Sequence, residues 1–255
     1  ITKPTRIGYT FDGYYDDVKA GTKYYNADLT SAKIWDKRPE SHTFTLYAQW
    51  TANTYYVSFD ANTGEGTMST QQFSYDEEQA LTKNTFSKKG YTFLGWSEDE
   101  KATSPTYTDE QSVKNLTVEP DATVKLYAVW QAKEYTVSFN GNAPVGSEVK
   151  DLTDDIKIDY DAPLSKLDKV PTCDKYFFAG FFDAQKSGTK YYDQNGNPAV
   201  EKWNKDSDTT LYAHWTDAST TVTLDSNGGE TQSQEVLAFL VSSMPSETTS
   251  GQAIT

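Results

Sequence analysis

Several residue types are scarce in this chain of 255 residues. Cys173 is its one cysteine, so no disulfide can form within it, and cysteine usage does not indicate a redox compartment. Arg6 and Arg38 are the only arginines among 23 basic residues, and the formal net charge is −14. Because a chain with this charge repels a polyanion, no nucleic-acid partner is expected.

Long apolar runs and histidines are also rare. No stretch approaches the length of a membrane span, so we expect no membrane insertion within this segment. His42 and His214 stand at unrelated positions, and neither has a serine or cysteine at a spacing typical of a nucleophile. Clusters of Cys and His are absent, and the carboxylates fall mostly in polar loops. The sequence therefore predicts no metal site, no cofactor and no catalytic site.

The sequence does contain an internal repeat. The pentapeptide Leu-Tyr-Ala-X-Trp occurs at Leu46–Trp50, Leu126–Trp130 and Leu211–Trp215, at intervals of 80 and 85 residues. Its Leu, Ala and Trp fall on alternate positions and so share one face of a strand. A fixed period of this size is typical of a tandem array of small domains.

Other blocks recur with the same order in each unit. A glycine-framed aromatic block precedes the pentapeptide at Gly8–Tyr14, Gly90–Trp96 and Tyr176–Phe181. Two alternating runs open the complete units, at Tyr55–Asn62 with Phe73–Tyr75 and at Tyr135–Asn142 with Ile156–Tyr160. Alternation of apolar and polar residues predicts that each pair of runs forms an antiparallel hairpin.

Helical signals are weak. Asp109–Leu116 is the best candidate, because Asp109 can cap a helix on which Val113 and Leu116 share a face. Asn26–Trp35 is the equivalent segment of the first unit. We therefore expect four or five strands and one short helix in each unit.

The repeat pattern sets the domain boundaries. We predict the C-terminal part of a truncated repeat at 1–50, complete repeats at 51–132 and 133–216, and the N-terminal part of a further repeat with a mobile tail at 217–255. In that last part, Val222–Gly229 restarts the pattern and Glu235–Met244 supplies a second strand-like run. Short linkers such as Thr51–Thr54 join one unit directly to the next.

These three blocks, in this order, resemble the Listeria–Bacteroides repeat, also called the internalin B-type repeat. The resemblance covers essentially the whole chain, although its units are longer than usual and Tyr176-Phe177-Phe178 stands where Gly-Tyr-Thr is typical. It implies an α+β, strand-dominated fold of tandem β-grasp (ubiquitin-like) modules, each a mixed sheet over a short helix. It also implies a non-catalytic extracellular region of a bacterial protein that is secreted or attached to the cell surface.

Two functions remain open from the sequence. The first is a stalk that presents a distal adhesive or recognition domain, with neighbouring repeats of the same chain as its partners. The second is an adhesin-type module that contacts glycan or a host or bacterial surface protein through Tyr47, Tyr127 and Tyr212. These tyrosines alternate with the Trp face of the pentapeptide, and exposed rings often dominate binding energy. The alternative is that they pack against a neighbouring repeat or a loop.

Overall fold

The computed structural model describes residues 1–36, 43–224 and 232–237, and from residue 219 onward it describes the backbone alone. Two compact units divide the chain, Ile1–Ala132 and Lys133–Thr255. Every regular element in the described residues is a β-strand, and no described segment forms a helix of the kind that a membrane crossing needs.

The first unit contains two sheets and a short ribbon. Its strands are β1 (Tyr9–Tyr15), β2 (Lys23–Asn26), β3 (Tyr47–Ala52), β4 (Thr54–Asp60), β5 (Gln71–Ser74), β6 (Gln79–Ala80), β7 (Tyr91–Ser97), β8 (Ser112–Val113) and β9 (Thr123–Ala132). The N-terminal sheet has the order β2-β1-β3, the second sheet has the order β5-β4-β9-β7, and β6 and β8 pair as a ribbon.

The second unit contains one large sheet and a separate hairpin. Its strands are β10 (Glu134–Asn140), β11 (Val149–Lys150), β12 (Ile156–Asp159), β13 (Thr172–Cys173), β14 (Tyr176–Phe182), β15 (Lys190–Tyr192), β16 (Thr209–Asp217), β17 (Ser219–Leu224) and β18 (Gln232–Leu237). The large sheet has the order β11-β13-β14-β16-β10-β12 with β15 paired to β14, and the hairpin is made of β17 and β18.

The repeated sequence blocks occupy equivalent strands. The opening runs pair antiparallel as predicted, β4 with β5 and β10 with β12. The strand that carries the pentapeptide then lies parallel to the opening strand, β9 beside β4 and β16 beside β10. A parallel pair needs a long crossover connection. Here the crossover contains the glycine-framed strand, β7 or β14, which pairs antiparallel with the free edge of the pentapeptide strand.

The predicted β-grasp fold is wrong, because the described residues contain no helix over the sheet. Glu110 and Asn115 both have a φ of +56°, which interrupts any right-handed helix across Asp109–Leu116. That segment instead forms a turn and β8, from which Val113 enters the core. In Asn26–Trp35 the corresponding break is Leu29, whose φ is +69°.

Each complete repeat has its own aromatic and aliphatic core. In the second repeat it includes Tyr55, Phe73, Trp96 and Leu126, and in the third it includes Trp203. Leu126 and Ala128 of the pentapeptide are buried, as the alternation predicts. Cys173 is also buried, where it packs as a small apolar side chain.

A bulge recurs in every glycine-framed strand. The register shifts between Phe11 and Gly13, between Phe93 and Gly95, and between Phe178 and Gly180. At each of these glycines a Cβ would lie within 2.3 Å of a backbone carbonyl oxygen of the neighbouring segment. The second glycine of the motif is therefore required by close backbone approach at a bulge.

Candidate functional site at the joint between two repeats

The best-organised feature outside the cores is the connection between the first and second repeats. β3 ends at Ala52 and β4 begins at Thr54, so Asn53 is the only residue between the two strands. Its side chain is buried, with an exposed fraction of 8%. A buried polar side chain in a linker must find partners, and those of Asn53 come from both repeats.

Four hydrogen bonds hold Asn53. Its N–H donates to the Gly8 carbonyl oxygen (2.9 Å), and its own carbonyl accepts from the Tyr75 N–H (2.8 Å). Its Oδ1 accepts from the Thr10 hydroxyl (2.7 Å), and its Nδ2 donates to the Val118 carbonyl oxygen (2.8 Å). Gly8 and Thr10 belong to the first repeat, whereas Tyr75 and Val118 belong to the second. One linker residue thus ties together segments of two domains.

A tyrosine–glycine contact lies beside Asn53. Gly8 has a φ of +74°, and a Cβ on it would lie only 2.3 Å from atoms of the Tyr75 ring. The Tyr75 ring also meets the Tyr9 ring edge-on, with centroids 5.8 Å apart. Glycine is therefore needed at position 8 for the ring of the next repeat to pack there.

A polar cluster completes the contact. The Tyr9 hydroxyl donates to Asp76 Oδ2 (2.8 Å), and Asn115 Nδ2 donates to Asp76 Oδ1 (3.0 Å). Arg6 lies over the Tyr9 ring, 3.5 Å from its centroid, and Lys114 is 3.7 Å from Asp76. We call this whole set the Asn53 joint; it comprises Arg6, Gly8, Tyr9, Thr10, Asn53, Tyr75, Asp76, Lys114, Asn115 and Val118.

These hydrogen bonds shift two ionisation equilibria in the joint. The amide of Asn115 and the hydroxyl of Tyr9 hold the pKa of Asp76 below its ordinary value of 3.8. The hydrogen bond to the Asp76 carboxylate raises the pKa of Tyr9 above its ordinary value of 10.0. Asp76 is exposed and Tyr9 is half-buried. Because the carboxylate and the protonated hydroxyl form the hydrogen bond, it is fully present at pH values between the two pKa values.

We expect the Asn53 joint to loosen in acid. Because the pKa of Asp76 is depressed in the folded state, its stabilising contribution is present above its ordinary pKa and is lost as the pH falls through the depressed value. Hydrogen exchange of β1 and β4 amides, followed between about pH 5 and pH 2, measures this loss. Asp76→Asn is the control, and an identical acid response in that variant would assign the effect to other carboxylates.

We also expect Asn53→Ala to lower the free energy of unfolding of the joint by about 2–3 kcal/mol, because the Val118 carbonyl and the Thr10 hydroxyl lose a partner in a buried setting. Hydrogen exchange of β1, β3 and β4 amides in the full chain is the measurement. The matched control is Asn26→Ala, which removes one exposed hydrogen bond to Thr30 within a single repeat and should change stability by less than about 0.5 kcal/mol.

The three candidate tyrosines each lie in a different repeat. Tyr47 is 39% exposed, whereas Tyr127 and Tyr212 are half-buried. Lys125 Nζ lies 4.7 Å from the centroid of the Tyr127 ring and forms an ion pair with Asp60 (2.7 Å). The three tyrosine rings are therefore exposed to different degrees. Ligand contact at these tyrosines stays a prediction.

The histidines do not form a site with each other. His42 lies outside the described residues. His214 stacks on Phe182 with centroids 4.0 Å apart, and its Nε2 is 2.8 Å from the Ala184 carbonyl oxygen. Among residues 1–36, 43–224 and 232–237, no three His, Cys, Asp or Glu side chains are placed to hold a metal ion.

Sequence reasoning identified the linker at Thr51–Thr54 but not the joint. The linker positions equivalent to Asn53 are Lys133 and Ala218, so the asparagine stood out only as a polar residue in a polar stretch. The partners of its side chain are 43 and 65 residues away in the chain. No local pattern reports such contacts.

Comparison with known proteins agrees with the repeat pattern. The model of the Listeria-Bacteroides repeat domain matches residues 1–49, 55–129 and 135–214. The chain belongs to the Listeria-Bacteroides repeat family. The three matched copies correspond to the successive sheets in which β3, β9 and β16 carry the pentapeptide.

Curated relatives place this repeat region within longer proteins. A predicted membrane protein of Evansella cellulosilytica is 29% identical over 93% of this chain and 32% of its own length. A predicted glycine-rich membrane protein of the same organism is 29% identical over 90% of the chain and 25% of its own length. Internalin H of Listeria monocytogenes is 41% identical over 37% of the chain and 15% of its own length.

The chain thus spans about a third or less of the length of these relatives. No solved structure matches it. Together, the family match and the internalin relative support an extracellular repeat region of a surface protein.

Proposed function

We propose that this repeat region is a non-catalytic spacer of a bacterial surface protein, which holds an adhesive or recognition domain away from the cell. The observation that carries the proposal is the Asn53 joint. A spacer that sets a distance must resist bending where its domains meet, and in this joint a one-residue linker is fixed by hydrogen bonds to both domains. Freely hinged domains need no buried polar linker residue.

Charge and composition fit the same role. A net charge of −14 keeps an extended surface protein soluble and limits non-specific self-association. Stability in a linear array comes from each repeat and from its contacts with neighbours. The Asn53 joint supplies such a neighbour contact inside the first unit.

Surface display tests the spacer role. The full chain is anchored to cells through a segment added after Thr255 and carries an epitope added before Ile1. The measured quantity is the binding of a bulky antibody to that epitope, on bare cells and on cells coated with a polymer brush. We expect Asn53→Ala to reduce antibody binding through the brush and to leave binding on bare cells unchanged. Asn26→Ala is the control. Equal binding through the brush for all three chains would contradict the spacer role.

The exposed Tyr47 ring favours one alternative, an adhesive surface on the repeat itself. At 39% exposure it can stack on a sugar or a host protein side chain. Glycan and matrix-protein arrays probed with the full chain and with its Tyr47→Ala variant distinguish the two functions. Binding that disappears in the variant would assign an adhesive function, and no binding by either protein would leave the spacer role.

A further inference from the structure

A cavity opens beside β12 in the third repeat. β12 is the last strand in the order of its sheet, so only one of its edges pairs with β10. After β12 the chain turns, and residues 162–169 form a returning segment on the other side of the cavity. The cavity has a volume of about 470 Å³, which is within the range of small-ligand sites. We call it the β12 slot.

The returning segment is attached to β12 and its lead-in at both ends. At one end the Ala162 N–H donates to the Asp159 carbonyl oxygen (3.1 Å). At the other end the Thr153 hydroxyl donates to the Lys169 carbonyl oxygen (3.1 Å), and Lys169 forms an ion pair with Asp154 (3.1 Å). Between these ends, no hydrogen bond within the described residues joins β12 to the returning segment. The slot therefore has fixed ends and an open middle.

The second repeat has an equivalent strand and returning segment, but a glutamine side chain bridges them. Gln71 lies at the start of β5, and its Nε2 donates to the Ala80 carbonyl oxygen (2.8 Å). Its Oε1 accepts from the N–H and from the hydroxyl of Thr82, both at 2.9 Å. An amide group that donates and accepts at once thus occupies the gap in the second repeat.

Ile156 replaces this glutamine in the third repeat. Gln71 lies opposite Val57 in the hairpin of β4 and β5, and Ile156 lies opposite Val137 in the hairpin of β10 and β12. The two positions are therefore equivalent. Isoleucine has no polar side-chain atom, so it cannot bridge the gap by hydrogen bonds.

The backbone groups that meet the glutamine amide recur in the third repeat. Pro163 corresponds to Ala80, since each pairs antiparallel with the segment that precedes the pentapeptide strand. Ser165 corresponds to Thr82, because a buried leucine comes directly before it in both repeats. Pro163 and Ser165 line the slot without the amide that Gln71 supplies in the second repeat.

The outer edge of β12 offers a second set of backbone groups. Thr136 lies opposite Lys157, and the Thr136 N–H donates to Asp208 Oδ1 (2.8 Å). Asp208 directly precedes β16, the strand on the other side of β10. In an antiparallel ladder, a pair whose backbone groups point away from each other alternates with a hydrogen-bonded pair. The Lys157 N–H and carbonyl therefore point away from β10, toward the slot.

The side chains that line the slot favour a neutral ligand. Among the described residues, the charged ones are Lys157, Lys166, Lys169, Asp154, Asp159 and Asp168. Their charges cancel, whereas the whole chain has a net charge of −14. Ile156, Ile158 and Leu167 add apolar surface between them. Polar backbone groups, apolar side chains and balanced charges together suit an uncharged peptide better than an anion.

We propose that the β12 slot binds an extended, uncharged peptide segment, which adds as a strand beside β12. One of its residues donates its N–H to the Pro163 carbonyl and accepts the Ser165 N–H at its own carbonyl, as the Gln71 amide does with the equivalent groups. Two bonds from one residue to groups two positions apart are the parallel pattern, so the peptide runs parallel to the returning segment and antiparallel to β12. Its neighbouring residues then face Lys157. The inference does not rest on the proposed spacer role.

Selection from a random heptapeptide phage library on the immobilised full chain tests the proposal. Selected peptides are synthesised with acetyl and amide caps, and their binding is measured by calorimetry. Ile156→Gln introduces the bridging amide and should weaken binding at least about tenfold, whereas Ile156→Val leaves the slot open and should change it less than about threefold. Recovery of no peptide, or equal binding to the Ile156→Gln variant, would overturn the proposal.

Hydrogen exchange of the unsubstituted chain gives a result that does not depend on how a variant folds. Saturating peptide should slow the exchange of the Lys157 and Ser165 amides at least about tenfold and leave the equivalent amides of Gln72 and Thr82 unchanged. Unchanged exchange at Lys157 and Ser165 would overturn the proposal. N-methylation of the central amides of the peptide should weaken its binding, because backbone donors are lost. Equal binding of the methylated peptide would contradict strand addition.

Chitotriose tests a different carrier of amide groups, because each of its sugars has an acetamido group. Chitotriose binding that disappears in the Ile156→Gln variant, with no binding of any peptide, would overturn the assignment to a peptide. The display experiment reports separately on the spacer role.

Discussion

Trp203→Ala is expected to lower the free energy of unfolding of the third repeat by about 3–5 kcal/mol. The Trp203 side chain is fully buried and packs on Tyr191, with ring centroids 5.3 Å apart. Its removal leaves a large cavity beside Tyr191 in the core of the third repeat. Its Nε1–H has no partner among the described residues, so the indole contributes through packing and not through a hydrogen bond.

Urea unfolding, monitored through the hydrogen exchange of β10 and β16 amides, measures this loss of stability. The matched control is Trp35→Ala, which changes the equivalent position of the first repeat. Trp35 is 47% exposed. Its ring meets Phe44 edge-on and Tyr24 at a tilt, with ring centroids 5.2 and 5.0 Å apart, so its removal should cost only about 1 kcal/mol. Equal losses in the two variants would show that burial does not set the contribution of this tryptophan.

Gly95→Ala is expected to destabilise the second repeat by about 2–5 kcal/mol, which combines backbone strain with overpacking. Gly95 has a φ of +147°, and a Cβ would lie 2.3 Å from the Tyr107 carbonyl oxygen and 2.8 Å from Pro105 Cβ. The bulge would have to open, and with it the hydrogen bond from the Trp96 N–H to the Tyr107 carbonyl (2.7 Å).

Gly146→Ala separates the two causes of that loss. Gly146 has a φ of +78°, but no atom lies within 4 Å of the place where its Cβ would be. It should therefore show the strain alone, about 1–2 kcal/mol. Thermal unfolding of the full chain, with hydrogen exchange to assign each transition to its repeat, gives both values. If Gly146→Ala costs as much as Gly95→Ala, close packing at the bulge is not the reason for the glycine.

These predictions differ in how far the sequence alone leads to them. The glycine-framed motif is visible in the sequence as a repeat, whereas the close backbone approach at its second glycine is seen in the structure. The burial of Trp203 and the exposure of Trp35 were not, because both stand in similar polar segments and only the surrounding strands distinguish them.

The sequence by itself determined the repeat, the order of its strands and the pairing of its opening runs. Alternation has a period of two residues and is read from neighbours in the chain, so β4, β5, β10 and β12 follow from local pattern. The local pattern also led to the wrong expectation of a helix at Asp109–Leu116, where it shows a capping residue and two apolar positions. It does not show that Glu110 and Asn115 adopt left-handed conformations.

Only the tertiary structure decided which contacts join the first repeat to the second. The partners of Asn53 come from strands and loops far along the chain, and each becomes a neighbour only after both sheets have formed. The same holds for the contact of Tyr75 with Gly8. Local sequence specifies which strands form, whereas the contacts of a linker residue depend on distant groups that folding brings within hydrogen-bond distance.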